Sequence, residues 1–149
     1  MILREMLVED LDQVMELETA LFGTEAWTRE GFFTFLTKSD TMFLVVEEKG
    51  TLLCYCGVLM VLGEGDILTV AVRADRQKEG IGTFLVNGLI RLAEELDCPV
   101  LHLEVREGNA AARRLYERLG FVTDGIRKNY YTDPTEHAVL MTRTKNAPV

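Results

Sequence analysis

Apolar residues near the start of the chain recur at helical spacing. Ile2 to Met6 has the composition of a short strand. The apolar residues after it recur three, four and seven positions apart: Leu11, Val14, Met15, Leu21 and Phe22. This spacing predicts an amphipathic helix, with Asp10 as its cap. A second, short helix is predicted to begin at Thr28, whose hydroxyl can accept a first-turn N–H. It should turn three side chains inward: Phe32, Phe33 and Leu36.

Residues that favour strands dominate the middle of the chain. Thr41 to Glu47 and Thr51 to Leu62 are rich in them, and Glu48-Lys49-Gly50 has the glycine that a tight hairpin needs. These two segments therefore predict an antiparallel pair. A third strand, Asp66 to Val72, follows the turn Gly63-Glu64-Gly65 and ends where the chain becomes polar.

The second half of the chain alternates helices and strands. A long helix is marked by apolar residues at Leu85, Leu89, Leu92 and Leu96, and Pro99 ends it. The elements predicted after it are a strand from Val100 to Val105, a helix from Ala110 to Leu119 closed by Gly120, and two strands, from Phe121 onward and from Ala138 to Thr144. The order βααβββαβαββ predicts one α/β domain over residues 1–149. Its sheet should be mixed and mostly antiparallel, with about six to seven strands and helices on both faces.

Composition narrows the possible functions. Sixteen Lys and Arg against twenty-four Asp and Glu give a net charge of −8, which disfavours nucleic acid and anionic membranes as partners. No apolar run approaches the roughly 18 residues of a spanning helix, so we expect a soluble cytoplasmic protein. The three cysteines cannot all pair internally, and Cys54-x-Cys56 lacks the spacing of zinc ligands. Buried thiols and no metal site are expected.

A glycine turn follows the third predicted strand. Gly80 and Gly82 flank the start of the long helix, where unpaired N–H groups and the helix dipole favour an anion. Taken alone, such a pair is more often ordinary turn chemistry. The turn lacks the Lys-Ser/Thr of a Walker loop and the third glycine of a dinucleotide fingerprint. Nucleotide hydrolysis and hydride transfer are therefore disfavoured.

A carboxylate interrupts the apolar strand after the long helix. Strand alternation places His102 and Glu104 on one face, where His102 could tune Glu104. Because burying a carboxylate is costly, either a cation or a solvent-filled cleft relieves the cost, or the site is built for proton transfer. An ion pair with Arg106 at the strand end is an equally good interpretation. In the next helix, Asn109 and Tyr116 lie seven residues apart and so share a face, although Tyr116 alone is more typical of a core aromatic.

Several short motifs then match one known family in register. They are Val70-Ala71-Val72, Gln77-Lys78-Glu79-Gly80-Ile81-Gly82, Leu103-Glu104-Val105-Arg106, Asn109-Ala110-Ala111-Ala112, Leu115-Tyr116-Glu117, Leu119-Gly120-Phe121 and Arg127-Lys128-Asn129-Tyr130-Tyr131. With them the chain resembles the GNAT superfamily of acyl-CoA-dependent N-acyltransferases. Within it, the chain is most similar to the ribosomal-protein-alanine N-acetyltransferases. The resemblance covers essentially the whole chain.

The resemblance implies a reaction and its residues. Glu104 would accept the proton of the attacking amine, and Tyr116 would donate a proton to the departing CoA. Contacts with acetyl-CoA are implied for Val70, Ala71, Val72, Lys78, Glu79, Gly80, Ile81, Gly82, Thr83 and Asn109. The implied acceptor is the N-terminal alanine of a ribosomal protein, of the small-subunit S18 type. No metal is implied.

The sequence is also compatible with other acceptors and other functions. A small-molecule amine or another protein N-terminus could be the acceptor, because Ala26 and Thr69 stand where family members often have Pro and Asn. Trp27, Tyr130 and Tyr131, predicted on loops, could wall a narrow acceptor groove or simply anchor those loops. A non-catalytic acyl-CoA sensor would need the glycine turn but neither proton-transfer residue. A cysteine acyl-enzyme is disfavoured because no base accompanies the apolar thiols.

Overall fold

Seven strands form one sheet, with four α-helices on its two faces. The computed structural model of the chain describes residues 1–145. The strands are β1 (Ile2–Glu5), β2 (Thr41–Glu48), β3 (Thr51–Val61), β4 (Glu64–Val72), β5 (Val100–Arg106), β6 (Val122–Thr132) and β7 (Thr135–Thr144). The helices are α1 (Leu11–Phe22), α2 (Arg29–Leu36), α3 (Ile81–Glu95) and α4 (Ala110–Arg118), none of them long and apolar enough to cross a membrane.

The strand order across the sheet is β1-β2-β3-β4-β5-β7-β6. Every neighbouring pair is antiparallel except β4 and β5, which are parallel. The α/β class, the element order and the mixed, mostly antiparallel sheet that the sequence predicts are confirmed. The predicted hairpin at Glu48-Lys49-Gly50 joins β2 to β3, with Lys49 and Gly50 at positive φ.

Strands β4 and β5 pair only at their beginnings. Glu64 to Asp66 align with Val100 to His102, and no pairing continues beyond them. On its other edge β4 carries a bulge against β3, where the register shifts by one residue around Leu68. A bulge bends and twists the strand that contains it. The second half of β4 therefore diverges from β5 and leaves an open edge in the middle of the sheet.

Two apolar clusters lie on opposite faces of the sheet. Helices α3 and α4 pack on one face, where the buried residues include Leu85, Leu89 and Tyr116. Helices α1 and α2 pack on the other face, but only over β2, β3 and β4. In residues 1–145, no residue of β5, β7 or β6 belongs to the apolar cluster under these helices, so this half of the sheet is bare. This bare half of the sheet forms the floor of the site described below.

Two local predictions fail at the first helices, and others are confirmed. Thr28 caps α2 as predicted, because its hydroxyl accepts the Gly31 N–H at 3.0 Å. Asp10 does not cap α1: its carboxylate accepts the Leu7 N–H and pairs with Arg4, both at 2.7 Å. Phe33 is half exposed and not inward, since one residue turns a helix by about 100° away from the buried Phe32. Phe32 and Leu36 pack inward as predicted, and Phe35, three positions after Phe32, takes the inward place expected for Phe33.

Candidate active site

A cavity of about 800 Å³ lies over the bare half of the sheet. Its floor comes from β4, β5 and β7, and its walls come from β6 and from the segment between α1 and α2. The charged and ionisable side chains that line it are Glu25, Asp66, His102, Glu104, Asp124, Arg127, Tyr130 and Tyr131. Four carboxylates face one arginine, so the cavity is suited to a positively charged ligand.

Glu104 faces this cavity from β5. The strand alternates as predicted, with Leu103 and Val105 buried and Glu104 exposed. Arg127 on β6 pairs with the Glu104 carboxylate at 3.2 Å. The expected ion pair with Arg106 is wrong, because Arg106 pairs with two other carboxylates. A cation and a solvent-filled cleft together relieve the cost of placing a carboxylate in this strand.

Two tyrosines lie beside Glu104, and they lie on a strand. Tyr130 and Tyr131 belong to β6, so their predicted placement on a loop is wrong. The pairing of β6 with β7 is interrupted between Arg127 and Tyr131, where Asn129 has a φ of +52°. The Glu104 carboxylate raises the pKa of Tyr130, and burial together with that carboxylate raises the pKa of Tyr131 to about 12. Both phenols are therefore protonated and can donate hydrogen bonds at neutral pH.

Tyr116 lies on the other face of the sheet, in the core under α4. Its ring meets Phe121 edge to face at 5.7 Å. Burial raises the pKa of Tyr116, and the nearby Cys56 and Tyr131 raise it further. Within residues 1–145 the Tyr116 hydroxyl has no protein hydrogen-bond partner, so it can donate to a ligand.

Asn109 and His102 are both engaged in local contacts. Asn109 caps α4, with its side-chain oxygen accepting the Ala112 N–H at 3.2 Å, and its amide N–H groups point to no described partner. His102 contacts Thr142 through Nδ1 and Glu64 through Nε2, each at 2.9 Å. Both ring nitrogens are thus occupied away from Glu104. Among the described residues His102 makes no hydrogen bond to Glu104, although the two share a strand face.

The glycine turn forms the start of α3. Gly80 has a φ of +81°, and no atom lies within 4 Å of the position where a side chain would begin. No side chain caps the helix, and the first helical hydrogen bond of this turn runs from the Phe84 N–H to the Gly80 carbonyl at 3.0 Å. The three preceding N–H groups, of Ile81, Gly82 and Thr83, point out of the helix end. The side chain of Ile81 is buried, so only the backbone N–H of this residue can contact a ligand.

The side chains before Gly80 have distinct surroundings. Lys78 is exposed and has a φ of +68°. The Glu79 carboxylate pairs with Arg76 at 3.1 Å, which neutralises the one negative charge beside the helix end. The local electrostatics therefore favour an anion at this turn.

Gly82 has a packing role that the sequence does not reveal. A side chain there would begin 3.2 Å from the Leu115 Cδ1 of α4 and 3.5 Å from the Val72 Cγ2 of β4. The distance to Leu115 is shorter than a normal packing contact, and the distance to Val72 is an ordinary one. The absence of a side chain at Gly82 therefore lets α3 approach α4 and the end of β4.

The open edge of β4 presents its backbone to the gap beside β5. The Arg73 N–H bonds the Leu53 carbonyl of β3 at 2.9 Å, and alternation then turns the N–H groups of Val72 and Val70 toward the gap. The N–H of Ala71 points the other way, toward β3, and its side chain is buried in the cluster under α1 and α2. Only Val70 and Val72 can offer donors to a ligand between the strands.

The cysteines are buried, and none of them lines the cavity. All three are free thiols, and burial raises the pKa of Cys54 to about 12. A thiol of that pKa carries almost no thiolate at neutral pH. In residues 1–145, no cluster of three or more His, Cys, Asp or Glu side chains could hold a metal ion.

Comparison with known proteins identifies the family. Residues 11–121 match the family model described as Acetyltransferase (GNAT) family. The chain belongs to this family. It is therefore an acyltransferase, and its seven-stranded open sheet is the GNAT fold.

Individual members of the GNAT family resemble the chain over nearly its full length. A Bacillus subtilis (strain 168) protein is 38% identical over 96% of this chain and 95% of its own, and carries the provisional name [ribosomal protein bS18]-alanine N-acetyltransferase. The crystal structure of the ribosomal-protein-S18-alanine N-acetyltransferase from Escherichia coli superposes with a TM-score of 0.89, at 29% identity, over 99% of this chain and 96% of that one. The PaiA N-acetyltransferase from Thermoplasma acidophilum, determined with coenzyme A, has the same fold, with a TM-score of 0.80 at 15% identity over 96% and 98% of the two chains.

The sequence does not predict that two charged side chains, Arg127 and Glu25, lie near Glu104. Arg127 is 23 positions away in the chain, and Glu25 lies in a separate polar segment, so no local spacing connects either of them to β5. The one sequence feature that points to Arg127 is its place in a motif that carries the family resemblance. No sequence signal indicated Glu25.

Proposed function

We propose that the protein transfers the acetyl group of acetyl-CoA to the α-amine of the N-terminal alanine of a ribosomal protein, of the bS18 type. The proposal rests on the full-length likeness to proteins named for that reaction, together with one feature of the site. A cavity suited to a cation meets the open edge of β4 at Glu104. A ribosomal acceptor would place the reaction in the cytoplasm.

The donor fits the side of the sheet where α3 begins. The pyrophosphate of acetyl-CoA would take the outward N–H groups from Ile81 to Thr83, with Lys78 as the nearest free cation. The amide N–H groups of Asn109 are free to bind the cofactor from α4. The pantetheine arm would lie along the open edge of β4, where Val70 and Val72 offer their backbone groups.

Glu104 is suited to remove the proton from the acceptor. An α-amine has an ordinary pKa of about 7.7–8.0, so most of it is protonated at neutral pH and cannot attack a thioester. Glu104 can take that proton directly or through a water molecule. Arg127 holds the carboxylate at 3.2 Å before the acceptor binds, and an incoming ammonium group offers the carboxylate a second cationic partner.

The attack converts the thioester carbonyl into an oxyanion and then releases a thiolate. The amine nitrogen forms a bond to the carbonyl carbon, and the C–S bond breaks as the carbonyl reforms. The N–H of Val70 or Val72 can stabilise the oxyanion. Because burial raises the pKa of Tyr116 above that of a thiol, full proton transfer to sulfur is unfavourable, and the phenol acts best as a hydrogen-bond donor to the developing thiolate.

The walls of the cavity would contact the acceptor peptide. Trp27 packs against Phe32 and Phe35 with ring centroids 5.1 and 5.2 Å away, so it both anchors its loop and lines the cavity. Tyr130 and Tyr131 form the opposite wall. Rigid aromatic walls exclude a large first side chain, which is the way a site favours alanine.

Mass spectrometry of acetylated peptides tests this proposal. Purified protein and acetyl-CoA are incubated with peptides that begin with Ala, Leu or Lys and are otherwise identical, with polyamines as a separate acceptor. We expect acetylation of the α-amine, with the Ala peptide having the highest kcat/KM and lysine side chains unmodified. Acetylation mainly of polyamines or of lysine side chains would contradict the proposal and favour the alternative of a small-molecule or different protein acceptor.

A further inference from the structure

Arg106 stands at the end of β5, two residues beyond Glu104 and on the same face. Its guanidinium donates to both carboxylate oxygens of Glu25 at 2.8 Å and to Glu136 at 3.1 Å. It also donates to the carbonyls of Pro134 at 3.0 Å and Asp133 at 3.3 Å. The plane of the group lies over the Tyr131 ring, 4.3 Å from its centroid. Few arginines on a protein surface have so many partners at once.

These partners belong to separate parts of the chain. Glu25 is in the short 3-10 turn between α1 and α2, and it also accepts the Asp133 N–H at 3.3 Å. Glu136 accepts the Gly108 N–H at 2.6 Å, and this bond together with Arg106 lowers the pKa of Glu136. Thr24 donates to the Asp133 carboxylate at 2.8 Å. Arg106 therefore joins the α1–α2 turn, the β6–β7 hairpin and the loop before α4.

Arg106 acts on the cavity through its partners. Glu25 and Tyr131 line the cavity, whereas Arg106 does not. Without the guanidinium, the carboxylates of Glu25 and Glu136 would lose the positive charge between them and would repel each other. The α1–α2 turn and the β6–β7 hairpin, which form opposite walls, would then have much less to hold them together.

We infer that Arg106 is a positioning residue that fixes the two walls of the acceptor groove and thereby determines how well an acceptor peptide binds. This inference rests on the proposed function for the identity of the acceptor. A lysine cannot replace the arginine, because one ammonium group cannot bond two carboxylates in a planar fork and stack on a ring. The donor side, at Gly80 to Thr83, does not touch this network.

The test compares Arg106→Gln and Arg106→Lys with a matched control, Arg143→Gln. Arg143 has the same side-chain exposure of 24%, pairs with Glu94 at 3.1 Å and donates to the Leu119 carbonyl at 2.8 Å, but it does not line or border the cavity. For both Arg106 variants we expect KM for an Ala-initiated heptapeptide to rise between about 5- and 100-fold, the range for small displacements of positioning groups. KM for acetyl-CoA, and kcat at saturating heptapeptide, should stay within about twofold of wild type, because only binding of the peptide depends on the walls. Arg143→Gln should change none of these.

A second readout does not depend on the acceptor. Trp27 is the only tryptophan, lines the cavity and lies two residues from Glu25. Quenching of its fluorescence by acrylamide should increase in Arg106→Gln and in Glu25→Gln, and not in Arg143→Gln. If Arg106→Gln does not fold, as judged by circular dichroism, the milder Glu25→Gln serves in its place.

The outcomes separate this inference from the proposed function. A fall in kcat with an unchanged KM for the heptapeptide, or unchanged kinetics and quenching in the Arg106 variants, would overturn the inference while peptide acetylation by the wild type stands. No acetylation of any peptide by the wild type would overturn the proposed function, and increased Trp27 quenching would then still support the positioning of the walls by Arg106.

Discussion

The carboxylate of Glu104 has a cationic partner before any substrate arrives. Arg127 pairs with it from β6 and also stacks on Tyr130 at 4.9 Å. Because Arg127 is half exposed, its ion pair with Glu104 is weak and exchanges readily. The carboxylate can therefore exchange this partner for an incoming amine, as a base at this position must.

Replacement of Glu104 by glutamine keeps the shape of the side chain but removes the base. We expect Glu104→Gln to lower kcat by about 10²- to 10⁴-fold, the usual contribution of a positioned base, with acetyl-CoA affinity unchanged. Steady-state kinetics from pH 6 to 9 and calorimetry measure the two effects. Glu64→Gln is the control, since Glu64 bonds His102 outside the cavity. Near-wild-type turnover by Glu104→Gln would mean that another group is the base.

Removal of the Tyr116 hydroxyl tests its role toward the leaving group. A hydrogen bond to a charged group contributes about 1.5–3 kcal/mol, so Tyr116→Phe should lower kcat by about 10- to 100-fold. Because the hydroxyl has no partner within the described residues, the midpoint of thermal unfolding should not fall. The raised pKa of Tyr116 also means that its ionisation causes no loss of wild-type activity below about pH 10. Unchanged kcat in Tyr116→Phe would assign the phenol to the core alone.

The side chains around the site could be predicted only where the signal is local. The Thr28 cap depends on one residue and the N–H three positions later, and the sequence predicts it correctly. Arg127 and Glu25 reach the site through strand pairing and a long connection, which no short window contains. A pairing of Arg106 with Glu104 is one of two interpretations that the sequence allows, but the strand end turns Arg106 toward Glu25 and Glu136.

At the scale of elements, α3 depends on a glycine for both packing and ligand approach. Gly82→Val places side-chain atoms against Leu115 and Val72, so we expect lower acetyl-CoA affinity together with lower thermal stability. Calorimetry and thermal unfolding measure the two effects. The double variant Gly82→Val with Leu115→Ala restores space on the α4 side.

The double variant separates the two roles of Gly82. If the valine blocks the pyrophosphate, stability should recover in part while acetyl-CoA affinity stays low. Recovery of both would show that the glycine serves packing only, and unchanged affinity in Gly82→Val alone would contradict the assignment of the donor to this turn.

Element prediction failed where a strand has no buried face. Strand β6 lies at the edge of the sheet, and nearly all of its residues are exposed. The alternation of apolar and polar residues that marks a strand is therefore missing after Ile126, and Tyr130 and Tyr131 were assigned to a loop. The sequence does predict a strand from Phe121 onward, and Phe121 is buried beside the start of β6. By contrast, β2 and β3 carry buried runs and β5 alternates, and the bounds that the sequence predicts for these three strands are close to the observed ones.

At the scale of the molecule, charge should govern how acceptors bind. The net charge of −8 and the four carboxylates of the cavity attract a basic peptide. We expect kcat/KM for an Ala-initiated peptide with downstream arginines to fall as NaCl rises from about 50 to 500 mM, because salt screens these charges. A peptide with glutamines in place of the arginines is the control and should respond little. Equal responses of the two peptides would contradict an electrostatic role for the cavity.

The free energy of unfolding should decline in alkaline solution, because several ionisable side chains are buried. Burial raises the pKa values of Cys54, Cys56, Tyr55 and Tyr116. Groups whose folded pKa is raised stabilise the fold fully below their unfolded pKa, and this contribution falls as pH rises above it. The free energy of unfolding should thus be steady near neutral pH, decline from about pH 8.5 and decline more steeply above about pH 10, by up to about 1.4 kcal/mol per pH unit for each group. Urea unfolding at a series of pH values measures this.

A variant assigns the two stages of that decline. Cys54→Val with Cys56→Val removes both deeply buried thiols while keeping apolar side chains of similar size. The decline between about pH 8.5 and 10 should become shallower, and the part above about pH 10 should remain, since it comes from the tyrosines. A decline unchanged by the substitution would show that other groups control alkaline unfolding.

The bare half of the sheet also has a consequence for how such enzymes diverge. Helices α3 and α4, beside which we propose that the donor binds, are anchored in the larger buried cluster. The acceptor walls are built from a short turn and an edge hairpin, where substitutions cost little stability. A gene duplicate of such a chain could accumulate changes around Glu25 and Tyr131 and reach a new acceptor while its use of the acyl donor is inherited intact. Sequence drift among descendants should therefore be fastest in these two segments, and the same scaffold would come to serve acceptors of very different size.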